Sequence, residues 1–387
     1  MIEIQPQTAQ DLCDAVADAM RDGTRLEIRG GGSKAAIGAP RQARIVSMAA
    51  MAGVIDYDPA ELVLTARAGT PLAEIEALVA GERQMLAFEP FDHGPLFGQP
   101  TGAATIGGVV AAGVAGSRRV TAGSARDHLL GFTAVSGRGE SFVAGAKVVK
   151  NVTGYDLPKL MAGSWGRIGA MTELTLKVLP SPRLTQTLVA EGLGCRAAYA
   201  AMARALGSHA EVSAAAHLPA RADGRPAQTL FRLVGFEPSV AARCALLPEL
   251  LSDHAALATL DSGTAAPLWH EAATGAGLDG PVLWRVHVPP VGAPTVIEAL
   301  ESRGARWSLD WGGGLVWLAF DADSVDLAHA VRAAAVAAGG QAMLVRAPEA
   351  LRAAVPTQHP RQPGVMALEE RVRRAFDPAG LFETGRF

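Results

Sequence analysis

The sequence predicts an α+β protein in three successive parts, at residues 1–182, 183–347 and 348–387. Three observations carry this. Short strand-like runs alternate with glycine-rich loops over roughly the first 180 residues. Pro180 and Pro182 then break the chain just after its strongest strand signal. Beyond them strands alternate with Ala-rich helical runs, the β-α-β pattern of a smaller, ferredoxin-like antiparallel sheet covered by helices. At 387 residues the chain is long enough for two or three cores. Hydrophobic residues at 49% and charged ones at 19% place it among globular proteins with little disorder.

Composition excludes several function classes. A formal net charge of −3, with no polybasic run, argues against nucleic acid as a partner. Cys13, Cys195 and Cys244 lie far apart with no C-x-x-C pair, which predicts reduced structural thiols in a cytoplasmic protein. The start, MIEIQPQTAQDLCDAV, has neither a basic n-region nor an apolar h-region, so no signal peptide is expected. The uncharged window between His93 and Arg118 is long enough to span a bilayer. Its prolines, threonines and many glycines would leave backbone groups unsatisfied in lipid, so no transmembrane segment is expected.

In chain order, residues 8–22 read as a helix with Leu12, Val16 and Met20 on one face and Gly23 as the stop. A strand at 25–28 delivers the chain to Arg29-Gly30-Gly31-Gly32-Ser33-Lys34. Strands follow at 44–48, 54–57 and 62–68, then a helix capped by Thr70 with Pro71 at its first position and Ile75, Leu78 and Val79 buried. Residues 84–100 read as a long ordered loop, and 106–112 as a short helix. Strands are expected at 129–135, 141–149 and 168–179. The C-terminal part predicts strands at 184–190, 211–217, 229–235, 281–288, 315–320 and 343–346. Helices are expected between and after them at 197–205, 240–251, 295–302, 324–338 and 365–376, before an apolar tail.

The stretch 98–173 concentrates the chemistry, because glycine recurs there among small apolar, basic and hydroxyl side chains. Residues without a Cβ let a backbone approach a large ligand closely. No G-x-x-x-x-G-K-[ST] occurs, which excludes a P-loop, and no G-x-G-x-x-G follows a strand and opens a helix in this half. What remains is two separated glycine loops whose amides would form anion-binding concavities. Taken alone, RGGGSK reads equally well as a surface turn.

With these residues in view, the sequence resembles the FAD-binding domain of the vanillyl-alcohol oxidase / p-cresol methylhydroxylase (PCMH-type) family. RGGGSK stands where that family has its first pyrophosphate loop, and Thr105-Ile106-Gly107-Gly108 through Gly116 resembles the second. KNVTGYDL (150–157) and GSWGRIG (163–169) resemble the segments that follow. The tail FDPAGLFETGR resembles the closing motif of the glycolate and D-lactate branch, with Glu383-Thr384 in place of its usual Asn-Pro. VIDYDPAELVLTARAGTPLAEIEALVAGERQMLAFEP and LWRVHVPP are similar to the smaller FAD-binding subunits of glycolate oxidases.

The resemblance implies a two-lobed FAD-binding domain over 1–182 and non-covalent FAD. Gly30, Gly31, Gly32, Ser33 and Lys34 would cradle the pyrophosphate, with Thr105, Gly107 and Gly108 on the opposite wall. Gly123, Ser124 and Asp127 would sit by the ribityl or adenine portion, and Ile168 near the adenine end. Tyr155 would lie near the isoalloxazine or serve as a core tyrosine in a glycine-rich turn. It also implies a catalytic flavoprotein subunit and an iron–sulfur subunit as partners, and a small 2-hydroxy acid as substrate. The location implied is cytoplasmic, or peripheral at the inner face of the cell membrane through the complex.

The H-x-G-D-G-N-x-H and E-H-G-I-G motifs of the catalytic hydroxy-acid oxidases of this branch do not occur. Metal-assisted deprotonation needs His ligands and a base converging on one point. No such set is visible, so no catalytic residue and no metal site is assigned. His93, in EPFDHGP, is the best further candidate, against a satisfied or exposed loop histidine. Glu369 and Glu370 read as a solvated helix face, and Trp307, Trp311 and Trp317 as core packing. Three functions stay open: the FAD-binding subunit of a glycolate oxidase, a self-sufficient FAD oxidoreductase, and a structural subunit without flavin.

Overall fold

The computed structural model describes residues 3–146 and 155–387. The chain forms two compact units, one of residues 1–115, 123–181 and 360–387, the other of 116–122 and 182–359. The chain passes between the units four times, where a serial division at 182 would allow one passage. A seven-residue piece of the first half belongs to the second unit, and the last 28 residues return to the first.

The first unit contains two main sheets. In one, Glu3–Ile4, Arg44–Ser47 and Leu26–Arg29 lie parallel in that order. Helix Ala9–Asp22 covers it, started by a capping box between Thr8 and Asp11 and stopped by Gly23 in the left-handed region. Leu12, Val16, Leu26 and Val46 make its core together with Leu381 and Phe382 of the tail. Met20, expected on the buried face, is exposed, and Ala19 takes its place. The other sheet is antiparallel, in the order Val54–Asp58, Val63–Arg67, Ala170–Lys177, Leu129–Val135, Ser141–Gly145. The strand expected over 141–149 ends at Gly145, and its last three residues lie outside the described ones.

Helices Leu72–Gly81 and Ile106–Ala112 pack on this second sheet through Leu72, Ile75, Val79, Ile106, Val109 and Val110. Leu78 points outward instead. Thr70 does not cap its helix. Its hydroxyl donates to Arg67 O at 2.7 Å and accepts from Gly53 N at 2.9 Å, leaving Pro71 at the cap.

The second unit is one eight-stranded antiparallel sheet, larger than the ferredoxin-like sheet expected. Its order is Leu257–Leu260, Leu184–Glu191, Gln228–Gly235, Ala214–Leu218, Arg306–Asp310, Leu315–Phe320, Val282–His287, Gln341–Arg346. Helices Cys195–Leu206, Glu237–Leu250, Ala293–Glu301 and Val325–Ala337 bury one face in a single large core. Helix Ser262–Thr274 covers part of the other face through Ala265, Leu268, Trp269 and Ala272. Among the described residues no helix is long and apolar enough to cross a membrane.

Candidate FAD-binding site

Strand Leu26–Arg29 ends at Gly30, and the chain turns through Gly32 (φ +85°) into Ser33 and Lys34. This loop is pressed against the loop that precedes helix Ile106–Ala112. A Cβ on Gly30 would run into Thr105 Oγ1, and one on Gly31 into the Ala103 carbonyl oxygen. Gly107 is also packed against Ala68, which a Cβ would approach to 2.7 Å. Glycine at these positions therefore brings two protein walls together, whereas the sequence suggested close approach to a ligand.

The walls line a cleft with about 690 Å³ of free space, mouth included. Gly30 to Lys34, Thr105, Gly107 and Gly108 line it, joined by Glu27, Arg29, Trp165, Gly166, Met171 and Arg386. Among the described residues no acceptor in the chain takes the amides of Gly31, Gly32, Ser33 or Lys34. Consecutive free amides in a turn form an anion nest. The opposite wall is different. Ile106 N donates to Thr70 O (2.9 Å), Gly107 N to Ala68 O (2.9 Å) and Gly108 N to Thr105 Oγ1 (3.3 Å). That helix start keeps its amides for the protein.

Charge in the cleft favours an anion. Lys34 is buried, its Nζ 3.3 Å from Ser33 Oγ, and burial pushes its pKa down to about 8, opposed by Asp92 and assisted by Arg386. Arg386 reaches back from the end of the chain. Its Nη2 donates to Lys34 O, its Nε donates to Ile37 O at 2.9 Å, and its guanidinium lies 4.9 Å from the Trp165 ring centre. Burial, with Arg41 beside it, lowers the Arg386 pKa. Glu27 is the counter-charge. Burial alone would raise its carboxyl, but Arg41, at 2.5 Å, and Arg29 outweigh that and hold it low. Arg29 Nε is buried without a hydrogen-bond partner. A diphosphate would supply the acceptors that these amides and cations lack, so the residues fit the group.

The segment 163–169 builds one side. Gly163 N donates to Val110 O and Trp165 N to Ala111 O, which clamps it on the C-terminal end of the helix. Trp165 has φ +57°, and its ring lies 4.9 Å from that of Phe387. Arg167 binds Glu383 through Nε (3.2 Å) and Nη2 (2.5 Å), so the unusual Glu383 of the tail holds the two segments together.

The remaining carried-over positions are elsewhere. Ser124 and Asp127 form a capping box, Ser124 N to Asp127 Oδ2 at 2.8 Å, and Gly123 leaves the room that this carboxylate needs. None of the three lines the cleft. Ile168 is buried in the core under the antiparallel sheet. Tyr155 is 91% exposed and is no core tyrosine, and 150–154 of its motif lie outside the described residues. His93 is buried and stacks on Phe91 at 4.5 Å. Its neighbour Asp92 was not singled out in the sequence. It accepts from Gly94, Gly102 and Ala104 N, which ties the long loop to the second wall, and it acts electrostatically on Lys34. The turn signal Asp-x-Gly was its only trace. Among the described residues no three His, Cys, Asp or Glu side chains come together as metal ligands.

Residues 2–145 match the model of a family described as an FAD binding domain. Over 382 residues the chain is 33% identical to the glycolate oxidase subunit GlcE of Escherichia coli, covering 98% of this chain and 97% of that one. The chain belongs to the GlcE family. A D-lactate dehydrogenase of Anaerostipes hadrus is 37% identical over 145 residues, 38% of this chain and 29% of its own. In fold, the chain resembles substrate-bound p-cresol methylhydroxylase with a TM-score of 0.69 at 12% identity, over 99% of this chain and 88% of that one. The N-terminal part is thus an FAD-binding domain within a PCMH-type fold, as the family resemblance implied.

Proposed function

We propose that this chain is the FAD-binding subunit of a glycolate-oxidising complex. Glycolate would give up two electrons and two protons to become glyoxylate, with a quinone-type compound rather than NAD as the final acceptor. The observation that carries the reading is the cleft, where four unpartnered amides face buried Lys34 and Arg386 in a chain similar throughout to a glycolate oxidase subunit. Bound FAD supplies a carrier that accepts an electron pair and passes it on.

The chain's own residues bind and orient that carrier. The amides of Gly31 to Lys34 and the Lys34 ammonium hold the diphosphate. Thr105, Gly30, Gly107 and Gly108 set the spacing of the walls. Arg386 fixes the carbonyls of Lys34 and Ile37, and so the direction in which the loop amides point. Gly123, Ser124 and Asp127 support a neighbouring turn, while Tyr155 and Ile168 keep their assigned ends of the cofactor on resemblance alone. Catalysis is assigned to a separate flavoprotein subunit, because the histidine motifs of the hydroxy-acid oxidases do not occur here. An iron–sulfur subunit is the second partner, since three separated cysteines cannot supply the four thiolates of a cluster from this chain.

The test is purification of the tagged chain with and without co-expressed partners. The flavin-to-polypeptide ratio and glycolate-dependent reduction of a quinone analogue are measured. Alone, the chain should bind FAD without turnover, and the complex should turn over. Absence of both flavin absorbance and FAD uptake in the purified chain would overturn the reading, and steady turnover by the chain alone would favour a self-sufficient oxidoreductase.

A further inference from the structure

The second unit holds a cluster that this role leaves unused, within the LWRVHVPP run. Along strand Val282–His287 the residues Val282, Trp284 and Val286 enter the main core, so Arg285 and His287 project from the other sheet face. In the row across the sheet Arg285 pairs with Trp317, and Trp317 with Ser308. Arg285 Nε, His287 Nε2 and Ser308 Oγ are buried atoms without a hydrogen-bond partner. Among the described residues the Arg285 side chain makes no hydrogen bond or ion pair. Its guanidinium lies 5.1 Å from the Trp311 ring centre and 5.8 Å from that of Trp317.

The surroundings fix this arrangement in place. The His287 ring lies 5.1 Å from Trp311, and Arg119 sits over the same indole at 4.6 Å. Trp311 has φ +55°, a strained backbone for a bulky residue. It is kept there by its N–H donating to Asp310 Oδ1 (2.7 Å) and its indole Nε1 donating to Gly116 O (3.0 Å). Asp310 Oδ2 accepts from Ser117 Oγ at 2.7 Å. That carboxylate is committed to the turn and steadies the Arg285 charge only from a distance. Burial and Arg119 push the Arg285 pKa down to about 10. Burial, Arg285 and Arg119 keep His287 well below its ordinary range and therefore neutral.

Arg285 is partly buried, and its Nε is shut off from water without an acceptor, a cost that one negative charge against the guanidinium would relieve. Its planar fork matches a carboxylate, and the aromatic walls suit a flat group. A neutral imidazole nitrogen beside it can bond a hydroxyl. We propose that Arg285, His287 and Trp311 form a binding site for a small monocarboxylate, Arg285 pairing with the carboxylate and His287 Nε2 with a hydroxyl on the adjacent carbon. This goes beyond the proposed role, which places no acid on this chain, and it does not require bound flavin.

The test titrates the full-length chain with glycolate, acetate and inorganic phosphate, followed by calorimetry and tryptophan fluorescence. Glycolate should bind saturably, one per chain, and acetate about tenfold more weakly for want of the hydroxyl. Phosphate should not compete. Arg285→Gln should weaken glycolate about tenfold or more, Arg285→Lys less, and His287→Gln should abolish the preference for glycolate over acetate. Absence of saturable glycolate binding to the unaltered chain would overturn the proposal, whether or not the variants fold. So would unchanged binding in a folded Arg285→Gln chain, or equal competition by phosphate. A chain that takes up no FAD yet binds glycolate would remove the flavin assignment and leave this one standing.

Discussion

Lys34 is the residue at which the cofactor site and protein stability pull in opposite directions. Burial lowers its pKa from 10.5 to about 8, a penalty on the charged form of about 3 kcal/mol. The unfolded chain holds the Lys34 proton up to a higher pH than the folded one. Stability should therefore rise as pH climbs from about 8 toward 10.5, with the full cost present below 8. Lys34→Met should raise the flavin-free melting temperature at pH 7 and lose this pH dependence, as differential scanning calorimetry would record. Binding of a diphosphate favours the ammonium, so FAD affinity should be highest below pH 8 and fall above it. Asp92 favours the same charged form and Arg386 opposes it, so both belong in the comparison. In Lys34→Met the affinity should be about tenfold weaker or worse at pH 7 and nearly flat with pH, read by flavin fluorescence quenching.

At the scale of elements, the C-terminal tail is a working part of the cleft. Asp377 accepts from Leu381 N (3.0 Å) and Phe382 N (2.8 Å), and the turn so formed inserts both side chains into the core of the parallel sheet. Arg386 then braces the loop after strand Leu26–Arg29. Two truncations should separate these roles. Removing 386–387 should leave the fold intact and reduce FAD content, whereas removing 380–387 should also cost about 4 kcal/mol or more in a urea melt through loss of Leu381 and Phe382. Local pattern made the helices at 9–22 and 106–112 and most strands legible, because caps, stops and alternation are local signals. The contact of Arg386 with Lys34, across 352 positions, has no local signal. Strand Arg306–Asp310 carries no continuous apolar run, because Arg306, Ser308 and Asp310 alternate with Trp307 and Leu309, which enter the core. Helix Ser262–Thr274 was hidden by Gly263 and Pro267, and it is held by Trp269 donating to Thr187 Oγ1 at 3.0 Å. In the cleft the glycine loops announced themselves, but their closeness to each other depends also on the Ala103 carbonyl, which no motif marks.

At the scale of the whole molecule, each unit has its own cores and its own candidate site. The diphosphate cradle lies entirely in the first, and the Arg285 cluster entirely in the second. The second unit also depends on residues 116–122, since Ser117 satisfies fully buried Asp310 and Gly116 O receives the Trp311 indole. A fragment of 182–359 alone would leave Asp310 Oδ2 without that bond. It should express poorly or melt well below the full chain, and Ser117→Ala in the full chain should cost about 1–3 kcal/mol. Because a ligand stabilises only the folded form that binds it, FAD at 100 times its Kd should add about 2.7 kcal/mol to the first unit. The predicted melt of the full chain then has two transitions, of which FAD raises one, while Ser117→Ala lowers the other and leaves the FAD-sensitive one in place. Calorimetry of the four combinations, unaltered and Ser117→Ala, each with and without FAD, reads this directly. A single transition moved equally by FAD and by the substitution would mean that the two units unfold as one.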